Sequence, residues 1–234
     1  MDIFPSFLNL NNKNKFNCLT SNPKYDLISD VKSIFFKRRF RENEIIYKST
    51  DNFKNLYYVD HGCIKTFKTS SSGVESISGF QMAGEWAGLE SVGCTSYNNY
   101  TQVLIQSDVY VINYQALQKF LITSFEALRK FNKLLSYEIL RNIKLLNILR
   151  NSKRETKVIL FFLELASKSL LVANDEIILD LHMSRGDISS YLSISREEIS
   201  RILQKLQNSG LIYVKNRQIH LLDMTRLILL SSDS

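Results

Sequence analysis

The length and composition of the chain are those of an ordinary folded protein. At 234 residues, with 44% hydrophobic and 23% charged residues, it is long enough for two modest domains that each bury a core. No apolar run approaches the roughly 20 residues that a membrane helix requires, and the start carries Asp2 and a proline without a basic segment. We therefore expect a cytoplasmic protein with no secretion signal and no membrane partner.

Charge and cysteine usage narrow the functional classes further. The net charge of +7 is concentrated between Arg129 and Lys157, a basic stretch that suits a polyanion partner, although such runs are more often a solvated helix face. The three cysteines, Cys18, Cys63 and Cys94, are widely spaced and form no C-x-x-C pair. This spacing argues against a disulfide framework and a structural zinc site, so we expect reduced thiols and no metal.

The first half of the chain predicts an arm followed by many short strands. Residues 1–25 are rich in Asn and Ser and predict a loosely ordered arm, whereas residues 26–36 have the apolar spacing of a short helix. From residue 40 to residue 114, six short runs rich in β-branched and aromatic residues predict strands of a β-roll, sandwich or jelly roll. We assign residues 26–114 to a β-roll sensor domain. The turns expected between its strands are residues 61–62, 70–73 and 107–108.

A long helix is predicted over residues 115–151, with a break indicated near residues 123–124. One seam of this helix has heptad spacing, which favours pairing with a second copy of the chain. The alternative is a helix packed only on its own β domain through Phe131, Leu134 and Leu145; we favour both uses, with one face inward and one across a dimer axis. The seam residues are Leu128, Leu135, Ile139, Asn142, Leu146 and Leu149, and a buried Asn142 would fix the register.

Residues 152–234 predict a winged helix-turn-helix domain. A helix over residues 155–173 and a strand over residues 176–180 precede its most informative part. There, Ser184 can cap a short helix, residues 193–194 make a tight turn, and Ser195 with Glu198 has the S-x-x-E pattern of a capping box. A second helix therefore begins at Arg196, with a buried apolar stripe at Ile199, Ile202, Leu203 and Leu206 and a terminal glycine at Gly210. Strands 211–214 and 218–222 flank a basic tip and form the wing.

The exposed side of the second helix predicts a surface that reads DNA bases. Its side chains can donate to guanine O6 and N7, accept from cytosine N4 and contact thymine or phosphate. The alternative is that charged residues on an exposed helix only increase solubility, but cap, turn, stripe, glycine and wing occur together within about forty residues. Double-stranded DNA is therefore the expected partner, and the candidate contact residues are Ser184, Arg185, Arg196, Glu197, Ser200, Arg201, Gln204, Lys215 and Arg217.

On these residues the chain resembles the CRP/FNR family of transcription regulators, most closely its FNR branch, over nearly its whole length. The stretches that carry the resemblance are LYYVDHGCIKTFKTSSSGVESISGFQMAGEWAGLESVG (56–93) and MSRGDISSYLSISREEISRILQKLQNSGLIYVKNRQIHL (183–221). The resemblance implies an α+β fold: a cyclic-nucleotide-binding-like β-roll or jelly roll, a long dimerisation helix and a C-terminal winged helix-turn-helix. It also implies a homodimer that binds a palindromic DNA site. The dimer would activate or repress transcription by contacting or occluding RNA polymerase, with residues 70–75 as a polymerase contact.

The family pattern also suggests the bases that are read. FNR-like members carry E-x-x-S-R in the reading helix, matched here by Glu197, Ser200 and Arg201, and CRP-like members carry R-E, matched by Arg196 and Glu197. The shared Glu and Arg imply half-sites that contain TGA. Arg196 favours a TGTGA half-site and Ser200 favours TTGAT, and the sequence leaves both open.

The sensor end departs from both branches. FNR oxygen sensors hold an iron–sulfur cluster with several cysteines, but here the arm offers only Cys18, and Tyr110 stands where the resemblance places the cysteine of the roll. Cyclic-nucleotide binders hold the phosphate with an Arg-Ser or Arg-Thr pair; Gly84 and Glu85 match the preceding turn, but residues 97–101 contain no arginine. We therefore expect neither an iron–sulfur cluster nor cyclic AMP, and no cofactor.

Other functions are weaker interpretations of the same residues. Cys63 and Cys94 are candidates for thiol sensing, although an isolated cysteine in a β-rich core is more often a small buried hydrophobe. A β-roll that binds a small ligand, with DNA contact secondary, is the alternative function. An enzyme is not expected, because no motif links the three histidines, His61, His182 and His220, to a nucleophile or a pair of carboxylates.

Overall fold

The computed structural model describes residues 27, 28, 30, 34–168, 172–173 and 176–232. The chain divides into two units, one of residues 21–144 and one that contains residues 145–234, so the boundary falls inside the long helix. The predicted arm and Cys18 lie outside the described residues. No helix in the described part of the chain is long and apolar enough to cross a membrane.

The first unit is built on one antiparallel sheet, as the short β-branched and aromatic runs predict. Strands β1, β6, β3 and β4 are neighbours in that order, while β2 pairs with β6 and β5 pairs with β3. The strands are β1 (Phe35–Phe40), β2 (Ile45–Tyr47), β3 (Asn55–Thr69), β4 (Glu75–Met82), β5 (Trp86–Ala87) and β6 (Tyr100–Asn113). The turn predicted at residues 70–73 is confirmed, because the Gly73 N–H donates to the Ser70 carbonyl at 2.9 Å.

Two of the predicted turns are wrong. Residues 61–62 and 107–108 lie inside the continuous strands β3 and β6, where the pairing register shifts on both sides of His61. Gly62 has φ 102°, and a Cβ at this position would overlap the Ser107 hydroxyl, which accepts from the Cys63 N–H at 3.1 Å. Turn-forming residue types here mark a β-bulge, because this bulge has a glycine at positive φ and a close approach of the neighbouring strand.

The predicted helix over residues 26–36 is wrong at its end, because Phe35 and Phe36 begin β1. This strand pairs with β6 along its whole length, and pairing with a neighbouring strand overrides a weak local helix pattern. Ion pairs reinforce the pairing: Asp108 lies 2.8 Å from Arg39 Nε and 3.3 Å from Lys37 Nζ. Hydrogen bonds from these two side chains, that of Arg39 first, lower the pKa of Asp108 to about 2.

The predicted long helix is two helices, α1 (Tyr114–Thr123) and α2 (Phe125–Asn151), and the predicted break is confirmed at Ser124. Each helix has its own cap: Asn113 accepts from the Ala116 N–H at 2.9 Å and Ser124 accepts from the Ala127 N–H at 3.2 Å. The inner faces of both helices pack on a core that includes Leu56, Trp86 and Ile112. The buried helix residues of this core are Leu117, Leu121, Ala127, Phe131 and Leu134.

The second unit contains the three-helix and wing arrangement that the sequence predicts. Its elements after α2 are α3 (Arg154–Lys168), β7 (Val172–Ala173), β8 (Glu176–Asp180), α4 (Arg185–Leu192), α5 (Arg196–Asn208), β9 (Ile212–Lys215), β10 (Gln218–Leu221) and α6 (Met224–Ser232). The prediction of a helix over residues 155–173 is wrong at its end, because Val172 and Ala173 pair with β8 as a strand. The sheet order is β7, β8, β10 and β9, so the wing hairpin joins the strand predicted at residues 176–180.

Candidate nucleic-acid interface

The turn between α4 and α5 is fixed by local hydrogen bonds. Ser184 caps α4 with a reciprocal pair: its hydroxyl accepts from the Asp187 N–H at 3.0 Å, and the Asp187 carboxylate accepts from the Ser184 N–H at 2.9 Å. After the helix, Ser193 takes the left-handed conformation with φ 54°, and the Ser189 hydroxyl donates to the Ile194 carbonyl at 2.6 Å. Local hydrogen bonds therefore define the start of α4 and the turn that leads into α5.

Both ends of α5 are where the sequence predicts them. Ser195 accepts from the Glu198 N–H at 3.2 Å and begins the helix. At the other end Gly210 has φ 67°, and the Leu211 N–H donates to the Leu206 carbonyl at 3.0 Å, which is a Schellman closure. The predicted apolar stripe is buried on one side of the helix, with Ile199, Ile202, Leu203 and Leu206 each at most 6% exposed.

Polar contacts hold α5 on both flanks of this buried stripe. Toward α4, Arg185 Nη1 lies 3.4 Å from Ser200 Oγ, and the Arg196 guanidinium lies directly over Gly186. A Cβ on Gly186 would stand 2.5 Å from Arg196 Nη2, so the absence of a side chain at Gly186 leaves room for the Arg196 guanidinium. Two of the predicted contact residues, Arg196 and Ser200, thus lie on the flank that faces α4.

The opposite flank of α5 faces the first turn of α3 through two ion pairs. Lys205 pairs with Glu155, and Arg154 Nη1 lies 3.8 Å from Glu198 Oε1. Glu198 is also 3.3 Å from Arg201 Nη1, so one carboxylate lies between two arginines. The two ion pairs to α3 could not be predicted from the sequence because each joins residues more than forty positions apart, and only the basic stretch that ends at Lys157 pointed to this region.

The side of α5 opposite the stripe exposes Glu197, Arg201 and Gln204, as predicted. Hydrogen bonds from its own backbone N–H and from the Ser195 hydroxyl hold the pKa of Glu197 below its usual value. Glu197 therefore presents an ionised carboxylate, which accepts hydrogen bonds only, while Arg201 donates and Gln204 does both. This mixture matches the donor and acceptor pattern of base edges in a DNA major groove.

The wing places two basic side chains beside the helix. Strands β9 and β10 pair from Lys215 opposite Gln218, and Asn216 at the tip has φ 56°, a conformation that asparagine tolerates. Lys215 and Arg217 are exposed, as predicted. The wing is tied to α5 because Gln207 Oε1 accepts from the Val214 N–H at 3.0 Å. The structure thus brings the predicted base-reading and backbone-contacting residues together in one unit.

The outer face of α2 carries the predicted dimer seam. Ile139 is 60% exposed and Leu146 57%, Leu128 and Asn142 are also exposed, and Leu149 is half-buried. Leu135 is shared, because it is half-buried against the core of the first unit. Leu140 and Ile143, which are also exposed apolar residues of α2, were not included in the predicted seam because they lie off its heptad positions.

One core of the first unit combines aromatic rings with aliphatic side chains. Tyr47 and Tyr97 stack with their ring centroids 4.0 Å apart, and burial raises the pKa of Tyr47 well above its usual value. The Glu85 carboxylate, 2% exposed, accepts from Arg141 Nη1 at 2.7 Å and from the Met82 N–H at 2.9 Å. These residues do not fit a cyclic nucleotide, because the carboxylate is engaged within the protein and a stacked tyrosine begins the segment that would hold the phosphate.

The two cysteines that the structure describes differ in their surroundings. Cys63 is completely buried in β3, as expected for a small hydrophobe, and Cys94 is exposed, with its Sγ 3.5 Å from Asn98 Nδ2. Tyr110 packs on Phe35 at 4.5 Å between ring centroids. Among the described residues, no three His, Cys, Asp or Glu side chains are grouped as metal ligands. Their positions do not fit an iron–sulfur cluster.

Comparison with known proteins matches each of the two units to a domain family. Residues 37–124 match the cyclic nucleotide-binding domain family and residues 156–230 match the Crp-like helix-turn-helix domain family. Electron transport regulator A of Shewanella oneidensis is 31% identical over 209 residues, which cover 89% of this chain and 83% of the relative. The fumarate and nitrate reduction regulatory protein of Escherichia coli is 28% identical over 183 residues, covering 78% and 73% respectively.

The fold is also similar to that of a solved structure. FixK2 from Bradyrhizobium japonicum superposes with a TM-score of 0.78 at 27% identity, covering 86% of this chain and 99% of that one. Both relatives are named as regulators, and the β-roll, long helix and winged helix-turn-helix follow the order that the sequence predicts. The chain belongs to the CRP/FNR family of DNA-binding transcription regulators, in the neighbourhood of its FNR-like members.

Proposed function

We propose that this regulator binds a palindromic DNA site as a homodimer and reads a TGA-containing half-site with α5. The observation that carries the proposal is the exposed set Glu197, Arg201 and Gln204, on a helix whose flanks are held by α3 and α4. Arg201 can donate to guanine O6 and N7, and the Glu197 carboxylate can accept from cytosine N4. Lys215 and Arg217 on the wing contact phosphates and fix the position of the domain on the duplex.

The dimer forms through the outer face of α2. Exposed apolar side chains at heptad spacing support this, because an unpaired helix in water rarely keeps such a row. Asn142 lies within the row and sets the register between the two copies. A homodimer carries two identical reading helices, one for each half of a palindrome.

The dimer regulates transcription by contacting RNA polymerase or by excluding it from the promoter. The turn between β3 and β4 supports a contact, since residues 70–75 are all exposed. Glu75 is held at the base of this turn by Lys65, whose Nζ lies 2.7 Å from Glu75 Oε2. We propose no cofactor, because the roll residues do not fit cyclic AMP and the described cysteines do not fit an iron–sulfur cluster.

Binding measurements on three duplexes test the proposal. The first carries an inverted repeat of TTGAT, the second an inverted repeat of TGTGA, and the third is scrambled. We expect one of the two repeats to bind at least ~10³-fold more tightly than the scrambled duplex. Arg201→Ala should lower that specific binding by about 1–3 kcal/mol and relax the preference at the guanine position.

The matched variant is Lys215→Ala, which removes a wing charge. It should weaken binding to all three duplexes similarly and reduce the salt dependence by about one ion. Equal binding of wild-type protein to repeats and scrambled DNA would contradict sequence-specific recognition. An Arg201→Ala variant with unchanged base preference would contradict the role of α5.

A further inference from the structure

The ion pairs around Glu198 suggest how the base-reading arginine is kept available. Glu198 lies on the flank of α5 next to the exposed side, with Arg201 Nη1 at 3.3 Å and Arg154 Nη1 at 3.8 Å. The three side chains come from two helices, since Arg154 is the first residue of α3. One carboxylate is thus shared by an arginine of the proposed reading surface and an arginine outside it.

The shared carboxylate is a disadvantage for DNA binding if it has no other counter-ion. An arginine that contacts guanine must leave Glu198, because the guanidinium of Arg201 cannot face a carboxylate on its own helix and donate fully to O6 and N7. The carboxylate left behind would then stand near the phosphates, where like charges repel. Glu198 is only partly exposed, with 23% of its side chain accessible, so water screens it incompletely.

We propose that Arg154 is a positioning residue for base recognition, which neutralises Glu198 so that Arg201 is free to reach the guanine. This inference rests on the proposed function of α5. Arg154 is suited to the task because its helix faces the same flank of α5 through a second pair, Lys205 with Glu155. In the free protein Glu198 holds both arginines, and on DNA it keeps Arg154 and releases Arg201.

The experiment measures a specificity ratio for the full-length protein. The numerator is the dissociation constant for a duplex in which another base replaces the guanine read by Arg201. The denominator is the dissociation constant for the preferred repeat. A change in total charge affects both duplexes alike and cancels in this ratio. Arg154→Ala should lower the ratio by about two- to fivefold, the range expected for one exposed ion pair, and Arg154→Lys should restore most of it.

Two further variants separate this role from a general effect of charge. Lys153→Ala removes the same charge from an exposed neighbour and should leave the ratio unchanged while weakening both duplexes. Glu198→Gln removes the carboxylate but keeps the side-chain length, and should keep or raise the ratio. In the Glu198→Gln background, Arg154→Ala should then have no effect on the ratio.

Several results would overturn the inference. These are an unchanged ratio in Arg154→Ala alone, an equal loss with and without Glu198, or the same loss in Lys153→Ala. A wild-type protein without preference for any repeat would instead refute the proposed function, so the two failures are distinguishable. All the variants change partly or largely exposed side chains, and matching thermal unfolding curves confirm that the proteins compared are folded.

Discussion

Replacing both Ile139 and Leu146 with alanine tests the proposed dimer most sharply. These residues are 60% and 57% exposed on the outer face of α2 and lie seven positions apart, two helical turns along the same seam. Because they contribute little to the core of a single chain, the double variant should keep its fold. Their loss should instead appear as weaker association.

The magnitude follows from the exposed fraction. Full burial of an isoleucine or leucine side chain contributes about 1.5–3 kcal/mol, so burying the exposed part and then truncating it to alanine costs about 1 kcal/mol each. A symmetric dimer contains four of these side chains, which gives a loss of about 3–4 kcal/mol. The dimer dissociation constant should therefore rise by about 100- to 1,000-fold.

Sedimentation equilibrium over a range of concentrations measures this constant, with circular dichroism to confirm the helix content. The control is Ile122→Ala, which removes an apolar side chain that is 84% exposed on α1, away from the seam. It should leave the dimer constant within about threefold of the wild-type value. If the double variant dissociates no more readily than this control, α2 does not form the dimer through the predicted seam.

Three further substitutions test other contacts. Gly62→Ala should lower the free energy of unfolding by about 2–4 kcal/mol in urea titrations, since φ is 102° and the new Cβ overlaps Ser107. The double variant Gly62→Ala with Ser107→Gly should recover part of this loss. Gly186→Ala should keep the fold, because alanine favours a helix. It should displace Arg196 and thereby weaken specific DNA binding about threefold or more, as measured by titration with the preferred repeat. Asp108, with its pKa lowered to about 2, stabilises the fold above its ordinary pKa of 3.8 and loses that effect as the pH falls toward 2. Asp108→Asn should therefore be less stable than wild type at pH 7 and show a smaller fall in melting temperature between pH 4 and pH 2; equal slopes would contradict this.

The DNA-binding unit could be predicted closely because its signals are local. Caps at Ser184 and Ser195, the glycine at Gly210 and the stripe on α5 each involve residues within a few positions of one another. A helix boundary set by such contacts is encoded in a short stretch of sequence. For the same reason the exposed side of the reading helix follows once the buried stripe is known.

The strand boundaries of the roll depend on contacts that the sequence does not show locally. Gly62 looks like a turn residue, but it serves as a bulge because Ser107 from another strand lies against it. Phe35 and Phe36 fit a helical pattern until β6 pairs with them. Long-range pairing of this kind overrides local propensity.

The ion pairs that hold α5 against α3 could not be predicted from the sequence. Lys205 with Glu155 and Arg154 with Glu198 each join distant positions. A charged residue on a predicted helix gives no indication of which distant residue it faces. Their roles follow only from the packing of the helices.

Selection from random DNA can show whether the protein recognises specific DNA through α5. Wild-type protein is incubated with random duplexes, bound DNA is recovered and sequenced, and the enriched motif is determined. We expect a palindrome whose two half-sites contain TGA about one helical turn apart. Enrichment of no motif, or of a motif that lacks two symmetric half-sites, would contradict it.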